Sequence, residues 1–229
     1  MSDDDGATLQ ARYRELLQRL EANDGEFRRL GRAVWRVQED ERRRLARELH
    51  DGVGQNLTAL KHRLAMMGGT LPAGADGLRT QLDAAIALCS QTLEDTRAMS
   101  RLLRPPILDD LGLEAALRWL ARSIGEAGGP EVEIDIAPLP ALGDEIQTLL
   151  FRVAQEALNN AAKHARARSA RMRLLASGHW LELRIDDDGV GCDPKLALGA
   201  GGSGLSGMRE RLRLYGGRLE LRSMSGAGM

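Results

Sequence analysis

A histidine, a carboxylate and an amide stand close together in one charged stretch, as His50, Asp51 and Gln55. A carboxylate beside an imidazole can fix its tautomer and take its proton, which a histidine nucleophile needs near neutral pH. An amide a turn further on can orient a water against whatever becomes attached to that histidine. The apolar residues Leu45, Leu49, Val53, Leu57, Leu60, Leu64 and Met67 recur every three or four positions, the stripe of an amphipathic helix. On such a helix His50 falls at the edge of the stripe with Asp51 beside it, and Asp51 and Gln55 lie one above the other. Gly52 and Gly54 each cost the helix about 1 kcal/mol relative to Ala, so a buried seam must hold it there. They also leave room for a reactant.

A second constellation lies about a hundred residues on. Glu156, Asn160 and Lys163 follow at i, i+4 and i+7 of a helical pattern, opposite its apolar face. The oxygen ligands suit Mg²⁺, which keeps its waters and bridges phosphates, and the ammonium suits phosphate as a point charge. The strand-like run Trp180 to Asp186 then enters Asp187-Asp188-Gly189-Val190-Gly191. Here the glycines allow close backbone approach to a flat ligand and a carboxylate can accept from an exocyclic amine. The Gly-rich stretch Gly199 to Gly207 opens a helix, whose first backbone amides can receive phosphate.

These groups need positioning elements. Leu9, Tyr13, Leu16 and Leu20 space as a short heptad seam, and Asn23-Asp24-Gly25 reads as its end, giving a helical lead-in over 1–27. A second helix runs from about Glu26 through Leu30, Val34 and Val37 into the His50 segment and ends at Gly68-Gly69. Its partner, with Leu78, Leu82, Ile86, Cys89, Leu93 and Thr96 inward, makes a hairpin over 28–104. Each arm leaves apolar surface uncovered, so a homodimeric four-helix bundle is the expected completion. Pro105-Pro106 stops the second arm and opens a linker at 105–112. Residues 113–229 then read as α+β. Leu111 to Ala127 and Gly143 to Ala165 are helices, with Ile146, Leu149, Leu150, Val153, Ala157 and Ala161 of the second facing inward. Val132 to Ile136, Ala170 to Ala176, Trp180 to Asp186 and Gly217 to Arg222 are strands of a mostly antiparallel sheet.

A formal net charge of -1 gives no global footprint for direct nucleic-acid binding. Cys89 and Cys192 fall in differently patterned segments and read as free thiols of a reducing compartment. No run of about 18 apolar residues offers a membrane span, and Ser2 to Asp5 is too acidic for a signal peptide. A cytoplasmic location follows, either alone or as the cytosolic part of a larger membrane-attached protein. His62, His179 and Arg42 to Arg44 read as surface residues, the arginines with a second use as a partner contact.

The motifs in this order resemble the cytosolic core of a two-component sensor histidine kinase, of the subfamily with a His-Asp-x-x-x-Gln box. The similarity rests on Ala46-Arg-Glu-Leu-His-Asp51, Leu103-Arg-Pro-Pro-Ile-Leu-Asp-Asp-Leu-Gly-Leu113, Gln155-Glu-Ala-Leu-Asn-Asn160, Asp188-Gly-Val-Gly191 and Gly204-Leu-Ser-Gly-Met-Arg-Glu-Arg211. It implies a multi-domain α and α+β architecture, a dimerisation and histidine-phosphotransfer bundle before an α/β-sandwich domain of the gyrase, Hsp90, histidine-kinase and MutL type. It implies ATP and Mg²⁺ as cofactors. The implied partner is a response regulator with a helix-turn-helix output domain. His50 would be the phosphoacceptor, Asp51 its general base, and Asp51 with Gln55 would position the water that dephosphorylates the regulator. Glu156 and Asn160 would serve Mg²⁺, with Lys163 and His164 near the phosphates. Asp188 would hold the adenine amino group, Gly189 and Gly191 would line the base pocket, and Gly202, Gly204 and Gly207 would shape a lid. Cys192 stands where relatives carry a large apolar residue, and the family pattern continues past Met229 into one more strand, which this sheet is expected to lack. Two further readings stay open at this point: a core locked as a phosphatase, and a non-catalytic dimeric docking module.

Overall fold

A computed structural model describes the backbone of residues 3–193, 203–224, 226 and 228–229, with side chains from residue 23 onward except Leu102 and Ser203. The chain forms two compact units, Val37–Gly112, and Met1–Arg36 with Leu113–Met229.

Helix α1, Asp3–Arg47, is continuous through the expected break at Asn23-Asp24-Gly25. One glycine costs a long helix about 1 kcal/mol. Against that cost, Asp24 pairs one turn on with Arg28 at 2.6 Å, in the favourable acid-before-base order. The heptad side chains Leu9 to Leu20 lie outside the described residues.

In the unit Val37–Gly112, α1 passes into a π-helical turn, Glu48–Gly54, then into α2, Gln55–Gly69. Helix α3, Asp76–Leu103, returns along it, and the short α4, Pro106–Asp110, occupies the expected linker. Ala46, Cys89, Leu93 and Leu108 are buried between these elements. Ser100 Oγ donates to the Ala46 carbonyl at 2.9 Å and Cys89 Sγ to the Leu57 carbonyl at 3.2 Å, so α3 is stapled to the other arm on either side of the π-turn. Four of the seven stripe residues, Leu45, Val53, Leu60 and Met67, stay exposed, as do Leu78, Leu88 and Met99 of α3.

In the other unit, α5 (Gly112–Glu126) leads to β1 (Glu131–Ile136), and α6 (Asp144–Asn160) continues into a second π-turn, Ala161–Ala165. Strands β2 (Ser169–Ser177) and β3 (Trp180–Asp187) form a hairpin, and α7 (Ser203–Leu214) follows. The hairpin loop is Gly178-His179, with only Gly178 at positive φ (59°), the type II′ pattern. The sheet order is β1-β2-β3. It is mixed rather than mostly antiparallel, because α6 carries the chain back across the sheet and β1 therefore pairs parallel with β2. Residues 217–222, expected as a strand, form no regular element and join no ladder among the described residues, with Leu219 and Leu221 half-buried. Leu219 packs onto a core cluster instead.

Helix α6 is buried on more than its predicted face. Phe151, Ala154 and Leu158 are fully covered, while Leu149 and Val153 meet Trp35 of α1 and Met208 of α7. Trp35 also stands edge-on to Tyr215 at 5.6 Å, and Arg32 Nε donates to the Leu214 carbonyl at 2.6 Å. Residues 28–36, expected to belong to the hairpin, therefore pack with the α+β unit.

Candidate functional site

His50, Asp51 and Gln55 are all exposed, and the π-turn decides how they relate. A turn closed i→i+5 takes in one more residue than an α turn, so groups five apart come into line. Gly52 and Gly54 weaken the local α ladder, which makes this the place where the extra residue is accommodated. In consequence His50 and Gln55 share one hollow of about 320 Å³ with Gly54, Thr58, His62 and Arg97, whereas Asp51 is not among its lining residues. Where an α-helix would set Asp51 over Gln55, the hollow groups Gln55 with His50 instead. Thr58 Oγ1 donates to the Gly54 carbonyl at 2.8 Å and so satisfies one acceptor at the end of the turn. Among the described residues no hydrogen bond joins Asp51 to His50.

The second group of residues gathers at the C-terminal ends of α6 and β3. Glu156 and Asn160 are half-buried on α6, and Lys163 and His164 are exposed on the π-turn that follows. Since that turn starts at Ala161, Lys163 departs from the i+7 alignment with Glu156. Arg166, at φ 51°, turns the chain into β2. The loop after β3 lies against this corner: the Val190 amide donates to the Ala165 carbonyl at 2.8 Å. A Cβ at Gly189 would collide with that same carbonyl and with Ala165 Cβ, so only glycine fits. Gly191 needs its glycine for a different reason, a positive φ of 64°. Gly204, at the start of α7, lies so close to Glu156 that a Cβ there would overlap Glu156 Oε1. Gly207 approaches no nearer than the Arg211 guanidinium, and Gly202 lies outside the described residues.

The two aspartates before Gly189 have different surroundings. Asp188 Oδ1 accepts from the amides of Arg168 at 2.8 Å and Ser169 at 3.0 Å, and Oδ2 accepts from Ser169 Oγ at 2.9 Å. These bonds, led by the Ser169 amide, hold its carboxyl below the usual range. Asp187 is half-buried, and its one described carboxylate bond is from the Gly189 amide to Oδ1 at 2.9 Å. Sequence reasoning chose Asp188 for the ligand. The spacing Asp-x-Gly-x-Gly, which begins at Asp187, was the available signal for the other. Cys192 is half-buried and its amide donates to Ser223 Oγ at 2.8 Å. Among the described residues no three His, Cys, Asp or Glu side chains form a metal cluster, and no helix is long and apolar enough to cross a membrane.

Residues 41–108 match the family described as histidine kinase, and residues 145–229 match the histidine kinase-, DNA gyrase B- and HSP90-like ATPases. The chain is 36% identical over 203 residues to the sensor histidine kinase MctS of Rhizobium johnstonii, covering 87% of this chain and 44% of that protein. It is 36% identical over 218 residues to the signal transduction histidine-protein kinase/phosphatase UhpB of Salmonella typhimurium, covering 94% of this chain and 43% of that one. To the sensor histidine kinase ComP of Bacillus subtilis it is 32% identical over 205 residues, covering 87% and 27%. The chain thus spans less than half the length of each of these relatives. Among solved structures, the histidine kinase domain from the Erythrobacter litoralis EL346 blue-light activated histidine kinase superposes with a TM-score of 0.47 at 19% identity, covering 76% of this chain and 91% of that one. With a histidine kinase region followed by an ATPase domain of the histidine kinase, gyrase and Hsp90 type, the chain belongs to the histidine kinases.

Proposed function

We propose that this chain phosphorylates itself on His50 from ATP and passes the phosphoryl group to an aspartate of a response regulator. The observation that carries this reading is the exposed imidazole at the mouth of a hollow it shares with Gln55. A buried core histidine would have neither solvent nor space around it.

Bound ATP supplies the phosphoryl group, and Mg²⁺ supplies charge neutralisation at its phosphates. The residues present fit both. Gly189 and Gly204 stand where any side chain would strike Ala165 or Glu156, so they let the loop after β3 and the start of α7 close onto the end of α6 that carries Glu156 and Asn160. Glu156 and Asn160 are the oxygen donors available to the metal, which brings the rest of its shell as water and phosphate. Lys163 and His164 are placed for the phosphates, and Asp187 is better placed than Asp188 to accept from the adenine amine. At His50 a ring nitrogen bonds phosphorus as the bond to the ADP oxygen breaks, and Asp51 receives the imidazole proton. In the next step the N–P bond breaks as a regulator carboxylate oxygen bonds the phosphorus. Gln55, beside His50 in the hollow, orients the water that later hydrolyses the regulator's phosphoaspartate. UhpB is named as a kinase/phosphatase, which favours the same double role here.

Leu45, Val53, Leu60, Met67, Leu78 and Met99 would be covered by a second copy in a four-helix bundle. The regulator, with a helix-turn-helix output domain, would dock on that bundle, and the chain would act in the cytoplasm. The test is incubation with Mg²⁺ and γ-labelled ATP. Acid-labile, alkali-stable label that disappears in His50→Gln is the expected result. Label retained in that variant would reassign the acceptor, and an unlabelled wild type that still hydrolyses regulator phosphate would leave the phosphatase alone.

A further inference from the structure

The helix that carries His50 is fastened to the start of the linker by a buried ion network. Arg104, the residue after α3, has a side chain only 5% exposed. Its Nε lies 3.1 Å from both carboxylate oxygens of Asp109 and its Nη2 2.7 Å from Oδ1. Its Nη1 lies 3.7 Å from Oε2 of Glu39, itself 8% exposed. Arg43 Nη2 donates to Asp109 Oδ1 at 2.8 Å, and Arg42 Nη1 donates to Glu39 Oε1 at 3.1 Å. Glu39, Arg42 and Arg43 belong to α1, while Arg104 and Asp109 bracket Pro105-Pro106. Leu108 is buried beneath the network and Pro105 is fully covered.

A hydrophobic contact of the same volume would stabilise as well or better, because desolvating these charges costs several kcal/mol per ion. What the charges add is a single geometry, since a planar guanidinium on a bidentate carboxylate fixes direction as well as distance. Here the direction is that in which the chain leaves α3. With the network closed, α4 is pinned to α1 and Leu111 is the one residue between α4 and α5; with it open, α4 can swing about Arg104 and Pro105.

We propose that Arg104, Asp109 and Glu39 with Arg43 form a clamp that positions the ATP-binding domain for transfer to His50, by fixing the direction in which the chain enters α5. This rests on the kinase reading above. Opening the clamp lets α4 swing, and a reactant held in fewer productive orientations transfers more slowly. The loss belongs to kcat of autophosphorylation. Nucleotide binding and transfer from phosphorylated His50 to a separate receiver do not depend on the clamp.

The test uses the full chain with Asp109→Asn, Asp109→Glu and Arg43→Ala. Asp109→Asn is expected to lower kcat for His50 labelling by about tenfold or more, as misplacement of a reactant does, with KM for ATP and the transfer rate unchanged. Hydrogen exchange at 104–111 should rise, and Asp109→Glu should recover most of the rate. Arg43→Ala strips the more exposed cation without leaving a buried charge unpaired and should lower kcat by a smaller factor, which decides the matter should the Asn variant unfold. An unchanged or raised kcat in folded variants, or a change confined to KM, overturns the clamp while leaving the kinase reading intact. A wild type that takes no label on His50 overturns both.

Discussion

The carboxylate of Glu156 and the α-carbon of Gly204 are so close that no side chain fits between them. Glu156 belongs to α6 and Gly204 to the first turn of α7, so a residue proposed for Mg²⁺ and one proposed for the lid share one space. In Gly204→Ala the new methyl must displace Oε1, and the end of a glutamate side chain can rotate away at little cost. Stability is therefore expected to hold within about 1 kcal/mol, while the displaced carboxylate lowers His50 labelling by tenfold or more. Thermal melting and labelling of one preparation check this; a parallel loss of both would mean a packing role only.

Asp187 and Asp188 separate by experiment in the same manner. Asp187→Asn keeps an acceptor for the Gly189 amide but loses the charge that would receive the adenine amine, so ATP affinity is expected to fall about tenfold with the melting temperature unchanged. Asp188→Asn weakens the bonds to Arg168 and Ser169, so melting falls and affinity follows only indirectly. Isothermal titration with ATP and with a nucleotide lacking the amine distinguishes them, and Asp187 loses its role if only the Asp188 variant ceases to discriminate.

Periodicity made the hairpin and the layered domain legible, because stripes such as Leu45 to Met67 are local. The register at His50 was not legible, since Gly52 and Gly54 mark where the α ladder is weak but not which carbonyl each amide then meets. The place of Trp35 was hidden for a different reason. It lies off the stripe Leu30, Val34, Val37, and its partners Leu149, Val153 and Met208 lie more than a hundred residues away. The expected stripe is the exposed one, with Val34 at 60% and Trp35 at 7%. A chain-local pattern cannot show which of two faces a distant element will cover.

That packing predicts a selective loss. Trp35→Ala removes the side chain between α6 and α7 and should destabilise the α+β unit by about 3–5 kcal/mol. The Val37–Gly112 unit should retain its own transition. Calorimetry would show the effect, and a single unchanged transition would mean that Trp35 contributes nothing to the core.

Alkaline titration reports the same corner. Burial first, then the hydrogen bond its hydroxyl donates to Glu145 at 3.0 Å, pushes the Tyr215 phenol up to about 12. A phenol whose native pKa exceeds its unfolded value of about 10 contributes stability that is complete below pH 10 and lost as pH rises through the native value. Wild type should lose melting temperature over that window, and Tyr215→Phe should be less stable at neutral pH without the same alkaline decline. Tyr13 is the one other tyrosine, so phenolate absorbance on a Tyr13→Phe background follows Tyr215 alone.

Acid acts with the opposite sign. Burial raises the Asp109 carboxyl, but the hydrogen bonds and charges of Arg104 and Arg43 together outweigh it and hold it below the usual range. Its contribution is present above the unfolded value of about 3.9 and is lost as pH falls through the native one. Melting of the Val37–Gly112 unit should therefore drop below about pH 4 in wild type and less in Asp109→Asn.

The π-turn assigns Asp51 and Gln55 to different steps. Gln55 shares the hollow with His50, whereas Asp51 lies outside its lining and is bonded to His50 only through the chain. Asp51→Asn removes a proton acceptor and should slow autophosphorylation by about 10²–10⁴-fold. Gln55→Ala should leave that rate within about twofold and slow regulator dephosphorylation by tenfold or more, because only a water attacking phosphoaspartate needs the amide. Both rates can be read on one protein, by labelling with ATP and by decay of a phosphorylated receiver. Equal losses in the two assays for Gln55→Ala would return Gln55 to a structural role in the turn and leave the hollow without a hydrolytic function.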